Sequence, residues 1–114
     1  MVDKPRMIVG ISGASGSIYG IRVLQALRDL GVQSHLVASK AAEMTLGYET
    51  ALTAGALKEM ADYAYKPSDI GAPPASGSFK SLGMLVAPCS VRTMSEIATG
   101  VTSGLISRAA DVTL

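Results

Sequence analysis

Three short apolar runs, each followed by a segment of helical periodicity, set the frame for this chain. Met7-Ile8-Val9, continuing into Gly10-Ile11, reads as a strand that is apolar on both faces. That is the pattern of a strand in a parallel sheet covered by helices on each side. Behind it Ile18, Ile21, Leu24, Leu27 and Leu30 recur at helical spacing, and Gly31 stands where a helix C-terminus favours a residue of positive φ. Val32 to Ala38 (VQSHLVA) is the second strand, and Ser39 can cap a helix running to about Gly47. Thr53 can cap another, with Leu57, Met60, Ala61 and Ala64 on its inner face. Residues 66 to 81, KPSDIGAPPASGSFKS, read as a long loop. Gly83 to Ala87 is a third buried strand, stopped by Pro88, and helices are predicted over Val91 to Thr99 and Leu105 to Leu114.

Strands alternating with helices imply parallel strands joined by crossover helices. The expected fold is a three-layer α/β/α sandwich around a Rossmann- or flavodoxin-like parallel sheet. Three strands make a thin sheet of that kind, and SRAADVTL has helical character without a stop signal. The expectation is therefore a single domain over residues 1–114 whose fold is cut short at the C-terminus.

Composition removes several function classes. Of the 114 residues, 48% are hydrophobic and 17% charged, so a buried core is expected and disorder is not. A net charge of +1, with no long run of Lys or Arg, gives no electrostatic footprint for nucleic acid. One cysteine, Cys89, excludes an internal disulfide and fits a reducing compartment. The apolar run in MVDKPRMIVG is short for a signal peptide, and no stretch approaches the ~18 apolar residues of a membrane span. The cytoplasm is the expected location. A single histidine and a single cysteine argue against a zinc site.

Chemistry is expected at the carboxyl ends of the strands, where open α/β sheets bind ligands. Three polar stretches fall there: Ser12 to Ser17, Ser39-Lys40, and Cys89 to Thr93. Backbone N–H groups at a helix N-terminus, helped by hydroxyls, suit a phosphate dianion. The glycines of GISGASGSIYG stand at 10, 13 and 16, which is not the G-x-G-x-x-G spacing of dinucleotide sites. Ser39-Lys40, rather than an acidic residue, ends the second strand, and the Walker pattern G-x-x-x-x-G-K-[ST] is absent. A mononucleotide such as FMN remains. On spacing alone, so does a loop whose glycines only let helix and strand pack.

GISGASGSIYGIRVL, LVASKAAEMTLGYET, APPASGSF, APCSVRTMSEIATG and SRAADVTL, in this order, resemble the flavin prenyltransferase family, UbiX and its phenolic-acid decarboxylase-associated relatives. The resemblance runs from about Ile8 to Leu114. It implies FMN as cofactor, dimethylallyl monophosphate as substrate, and transfer of the dimethylallyl group to N5 and C6 of reduced FMN without a metal. The product, prenylated FMN, would serve a UbiD-type decarboxylase, and a homo-oligomer is implied. The family's C-terminal part, with further basic residues and a tyrosine for the prenyl phosphate, has no counterpart here.

By motif match, Gly13, Ala14 and Ser15 would hold FMN, as would Ser39 and the run Ser90, Val91, Arg92, Thr93. Arg92 departs from the small or lysine residue frequent at its place. Ser15, Glu49 (in GYET) and Arg108 (in SRAAD) would form the catalytic set. Glu49 would support proton traffic near the prenyl phosphate, and Arg108 would offset leaving-group charge beside the flavin. APPASGS would help line an apolar prenyl pocket. Cys89 is expected to be a small buried residue rather than a nucleophile, and His35 a structural residue within its strand. Two other readings stay open: an FMN-dependent cysteine or aromatic-acid decarboxylase of the same flavoprotein group, and a non-catalytic flavin-binding chain. The cysteine decarboxylases carry a histidine after the first glycine loop, and Ser15 to Ile21 has none.

Overall fold

The computed structural model describes residues 4–114; Met1 to Asp3, the start of the N-terminal stretch weighed above as a leader, lie outside them. The elements in order are β1 (Arg6–Ile11), α1 (Ser17–Asp29), β2 (Gln33–Ala38), α2 (Lys40–Glu49), α3 (Ala54–Met60), β3 (Tyr63–Tyr65), β4 (Met84–Val86), α4 (Val91–Thr99) and α5 (Leu105–Thr113), with a 3-10 turn at Pro73–Ala75. All strand pairs are parallel, in the order β3-β2-β1-β4, with Val9 opposite both Leu36 and Leu85. The chain moves outward from β1 through β2 to β3, then returns to the other side of β1. The order therefore reverses between β1 and β4.

Strand alternation sorts side chains into two cores. Val9, Ile11, Leu36 and Ala38 face α1, α2 and α3, where Ile21, Leu24, Leu27, Leu46 and Leu57 close over them. Val37 on the opposite face packs with Ala72, Ala75, Leu105 and Ile106 beneath α5. Helices thus cover both faces, giving the expected three-layer α/β/α arrangement. Each fully buried Leu or Ile contributes ~1.5–3 kcal/mol. Gly31, at φ +72°, ends α1 as the spacing predicts, while Ile18 and Leu30 of the predicted stripe are 47% and 75% exposed.

Three expectations need correction. The sequence gives three strands, but a fourth, Tyr63–Tyr65, takes residues assigned to the end of a helix. The cause is a clasp at Asp62. Its carboxylate accepts the Ser34 N–H at 2.8 Å, and the Asp62 N–H donates to Ser34 Oγ at 3.1 Å. This ends α3 at Met60 and lays the next residues along β2, so Ala64 lies in the sheet. The strand near 83–87 is not buried: β4 is an edge strand, and its Leu85 is 43% exposed. Cys89 is exposed rather than buried, as it follows the end of β4, which lies at the edge of the sheet.

Candidate functional site

A cavity of about 750 Å3 opens at the carboxyl ends of the strands, over the point where strand order reverses. Its size falls in the ~300–1,000 Å3 range of cofactor sites. Ser12 and Gly13 follow β1 at one side; Tyr65, the last residue of β3, and Lys66 and Pro67 after it lie at the other. Three helix N-termini point into it: Ser39-Lys40-Ala41 of α2, Ser90, Arg92 and Thr93 of α4, and Gly104 to Ser107 of α5. The first-turn N–H groups of a helix have no partner within it and carry the positive end of its dipole. Two of these ends are capped by serine, Ser39 Oγ accepting the Ala42 N–H at 3.0 Å and Ser90 Oγ the Thr93 N–H at 3.2 Å.

The loop after β1 is tied to the α4 end. Ser12 Oγ donates to the Pro88 carbonyl at 2.9 Å and accepts the Ser90 N–H. Gly13 answers a question the sequence left open. A Cβ added there would lie 2.5 Å from the Cβ of Ala41, so the loop needs a glycine to let α2 approach. Gly13 also lines the cavity, so packing and site share this glycine.

The N-terminus of α1 has a different fate. The Glu49 carboxylate, at the end of α2, accepts Ser15 Oγ–H at 2.8 Å, Ser17 N–H at 2.9 Å and Gly16 N–H at 3.0 Å. The Ser17 and Ser15 bonds, with that from Gly16, hold its pKa down at about 2. Glu49 thus occupies the anion position that the glycine loop offers at α1. A carboxylate this acidic carries no proton to donate near pH 7.

The sequence candidates divide accordingly. Gly13, Ser39, Ser90, Arg92 and Thr93 come together in the cavity lining. Ser15 and Glu49 meet each other outside that lining. Ala14, Val91 and Arg108 do not line it either; Val91 is 74% exposed at the first position of α4, and Arg108 is exposed on α5. Ala72, Pro74 and Ala75 of APPASGS are buried under α5 and wall no part of this cavity.

Residues missed by sequence reasoning line the rest: Lys58, Tyr65, Lys66, Glu96, Ser103 and Ser107. Tyr65 was hidden by the helix assignment; Ser103 lies between the two last predicted helices, and Ser107 within the last of them, where no role was assigned to either. The ring of charge is partly internal. Lys58 pairs with Glu43 at 3.5 Å and Arg92 with Glu96 at 3.3 Å, while Ser103 Oγ donates to Glu96 at 2.8 Å. Among the described residues Lys40 and Lys66 form no ion pair, leaving positive charge at the mouth. No group of three or more metal-ligating side chains occurs among the described residues, and no helix there is long and apolar enough to cross a membrane.

Fold and cavity together define an open parallel α/β protein with a crevice, lined by three helix N-termini, at its switch point. The chain belongs to the flavoprotein family, whose model matches residues 1–114. It is 51% identical over 110 residues to the flavin prenyltransferase UbiX of Escherichia coli (strain K12), covering 96% of this chain and 58% of that protein. The crystal structure of AnUbiX (PadA1) in complex with FMN and dimethylallyl pyrophosphate superposes with a TM-score of 0.95 at 46% identity, over 96% of this chain and 58% of that one. A dodecameric FMN-dependent Ubix-like decarboxylase from Escherichia coli O157:H7 superposes at 0.91 and 44% identity, over 94% and 59%. The chain thus spans somewhat under two thirds of the length of these relatives.

Proposed function

We propose that this chain binds FMN in the cavity and belongs with the enzymes that join a dimethylallyl group, from dimethylallyl monophosphate, to reduced FMN. The observation that carries the reading is the convergence of three helix N-termini and their serines on one cavity. Backbone donors, hydroxyls and a modest positive field suit the phosphate of a mononucleotide. Half-identity to UbiX over 96% of the chain supports the choice of FMN and of prenyl transfer.

In this reading Gly13, Ser39, Ser90 and Thr93 hold the cofactor, with Arg92 at its edge, and Ala14 and the Val91 backbone flank them. Bound FMN, once reduced, supplies the N5 and C6 positions to which the prenyl group is joined. Glu49, ionised at neutral pH, fixes the Ser15 hydroxyl rather than giving up a proton itself. Lys40 and Lys66 attract the dianionic substrate, and Arg108 reaches phosphate only if the segment beginning at α5 shifts. The exposed apolar side chains Tyr48, Val91 and Met94, at 86%, 74% and 57%, fit burial in a homo-oligomer. A UbiD-type decarboxylase is the proposed recipient of the product. The exposed thiol of Cys89 fits a reducing compartment, and we place the reaction in the cytoplasm.

Titration of the flavin-free chain with FMN and with riboflavin tests the phosphate site. FMN is expected to bind at least about tenfold more tightly, the weight of one charge-assisted hydrogen bond. Equal affinity would remove the reading. The reaction is tested by mixing the reduced FMN complex with dimethylallyl monophosphate without oxygen and weighing the flavin. A chain extended to the length of the relatives is expected to form prenylated flavin about a hundredfold faster than these 114 residues, each absent phosphate donor costing ~2–4 kcal/mol. Equal rates would refute that assignment of donors.

A further inference from the structure

Apart from the hydroxyls and cations of the cavity, one buried side chain is tied to its wall. His35, in β2, is 3% exposed. The rings of Tyr63 and Tyr65 lie nearly parallel to it, with centroids at 4.7 and 5.9 Å, and Phe79 meets it edge-on at 5.0 Å. Both ring nitrogens are engaged: Nε2 with Gln33 Oε1 at 2.7 Å and Nδ1 with the Tyr65 hydroxyl at 2.8 Å. A carboxamide oxygen only accepts, so Nε2 carries the proton and Nδ1 accepts from Tyr65. The charged groups nearby are Arg6 of β1, stacked over Phe79 at 4.7 Å, and Asp62 ahead of β3. Burial above all, then Arg6, lowers the His35 pKa from its ordinary value, against the opposing pull of Asp62. The imidazole is therefore neutral at pH 7.

Tyr65 forms part of the cavity wall, and the chain continues along that wall through Lys66 and Pro67. The Pro67 carbonyl accepts the Leu105 N–H at 2.8 Å. Gly104 sits so near that a Cβ on it would lie 3.2 Å from the same oxygen. The N-terminus of α5 is thus docked on the strap that begins at Tyr65.

We propose that His35 is a positioning residue for the ligand cavity: through the Tyr65 hydroxyl it fixes the Tyr65–Pro67 strap, and with it the N-terminus of α5, against the ligand. Gln33 sets the tautomer that makes this possible. The Tyr65 hydroxyl proton is spent on His35, so that oxygen can accept from a ligand but has no proton to donate to it. When His35 takes a second proton, Nδ1 no longer accepts, and Tyr65 must turn its hydroxyl or release the ring. The proposal rests on the flavin reading only for the choice of FMN as probe.

The test has two parts. In the protein alone, amide NMR follows the Gly104 and Leu105 signals from pH 8 to 5, beside the His35 ring protons. Both amides are expected to shift with the His35 midpoint, and to lose that step in His35→Asn, whose Oδ1 can still accept from Tyr65. Amides that ignore the His35 titration would overturn the proposal, whether or not FMN binds. The second part measures FMN affinity over the same range. The ligand phosphate titrates with a second pKa near ~6 and gives both proteins a common slope. The ratio of the two affinities cancels it. Wild type is expected to weaken relative to His35→Asn by about fivefold below the His35 midpoint, the weight of one neutral hydrogen bond. A constant ratio would overturn the proposal, and absence of FMN binding in both would instead fault the flavin reading.

Discussion

Substituting Gly13 by alanine tests whether the first loop is built for its neighbouring helix. The added methyl carbon would lie 2.5 Å from the Ala41 Cβ and 3.2 Å from the Ala41 carbonyl carbon. Carbon atoms pack at ~3.5–4.0 Å, so loop and helix must part by about 1 Å. Neither side yields cheaply. The loop is pinned by Ser12 to Pro88, and α2 by its Ser39 cap and by the burial of Ala42 and Leu46. Overpacking of this kind costs ~1–3 kcal/mol, a fall of roughly 5–15 °C in Tm for a chain of this size. Ala41→Gly removes the closer contact but costs up to ~1 kcal/mol in helix propensity on its own. Urea unfolding of both single variants and the double variant measures the coupling. The double variant is expected to lose at least ~1 kcal/mol less than the two singles together. Additive losses would refute the contact as the reason for the glycine.

Two further perturbations probe the loop and the cavity. The folded pKa of Glu49, about 2, lies below its ordinary value of 4.5. Its contribution to stability is therefore present above pH 4.5 and is lost as pH falls toward 2. Glu49→Gln should unfold more readily than wild type at pH 6, with the gap in urea midpoint closing between pH 4.5 and 2.5; a gap that does not change with pH would show that the charge is not what matters. Ser90→Ala removes the α4 cap and the partner of Thr93, costing ~1 kcal/mol of stability and weakening FMN more than riboflavin; an equal loss for both flavins would place the phosphate at another helix end.

What the sequence made legible was whatever depends on local pattern. The β1–α1–β2–α2 order follows from apolar periodicity, and the caps Ser39 and Thr53 act as their positions predict. Residue types alone mark the polar stretches at the strand ends, and the motif blocks single out Gly13, Ser39, Ser90, Arg92 and Thr93 within them, all of which line the cavity. What escaped depends on contacts distant in sequence. Nothing local marks Tyr63–Tyr65 as a strand, since Ser34, 28 positions earlier, sets it there through Asp62. Tyr65 was lost to the site for the same reason. The pairing of Ser15 with Glu49 spans 34 positions, so the sequence could name both residues without revealing that each satisfies the other.

That pairing bears on how a fold of this type allots its helix ends. Crossover helices start where strands finish, so the N-terminal dipoles of α1, α2 and α4 gather at one end of the sheet, and α5 adds a fourth. Four such ends brought together repel one another unless negative charge is placed among them. Glu49 provides it at α1, from within the chain. Glu43 and Glu96 provide part of it at the cavity, but each is already engaged by Lys58 or by Arg92. The ends of α2, α4 and α5 are met by serine hydroxyls rather than by a carboxylate, and they share one cavity. A phosphate there would be bound for the same electrostatic reason that Glu49 is held at α1. Loss of Glu49 should then let anions compete for the α1 end as well, so that Glu49→Gln gains a second, weaker phosphate site in a titration with inorganic phosphate. If the variant binds phosphate with unchanged stoichiometry, Glu49 is not standing in for an anion.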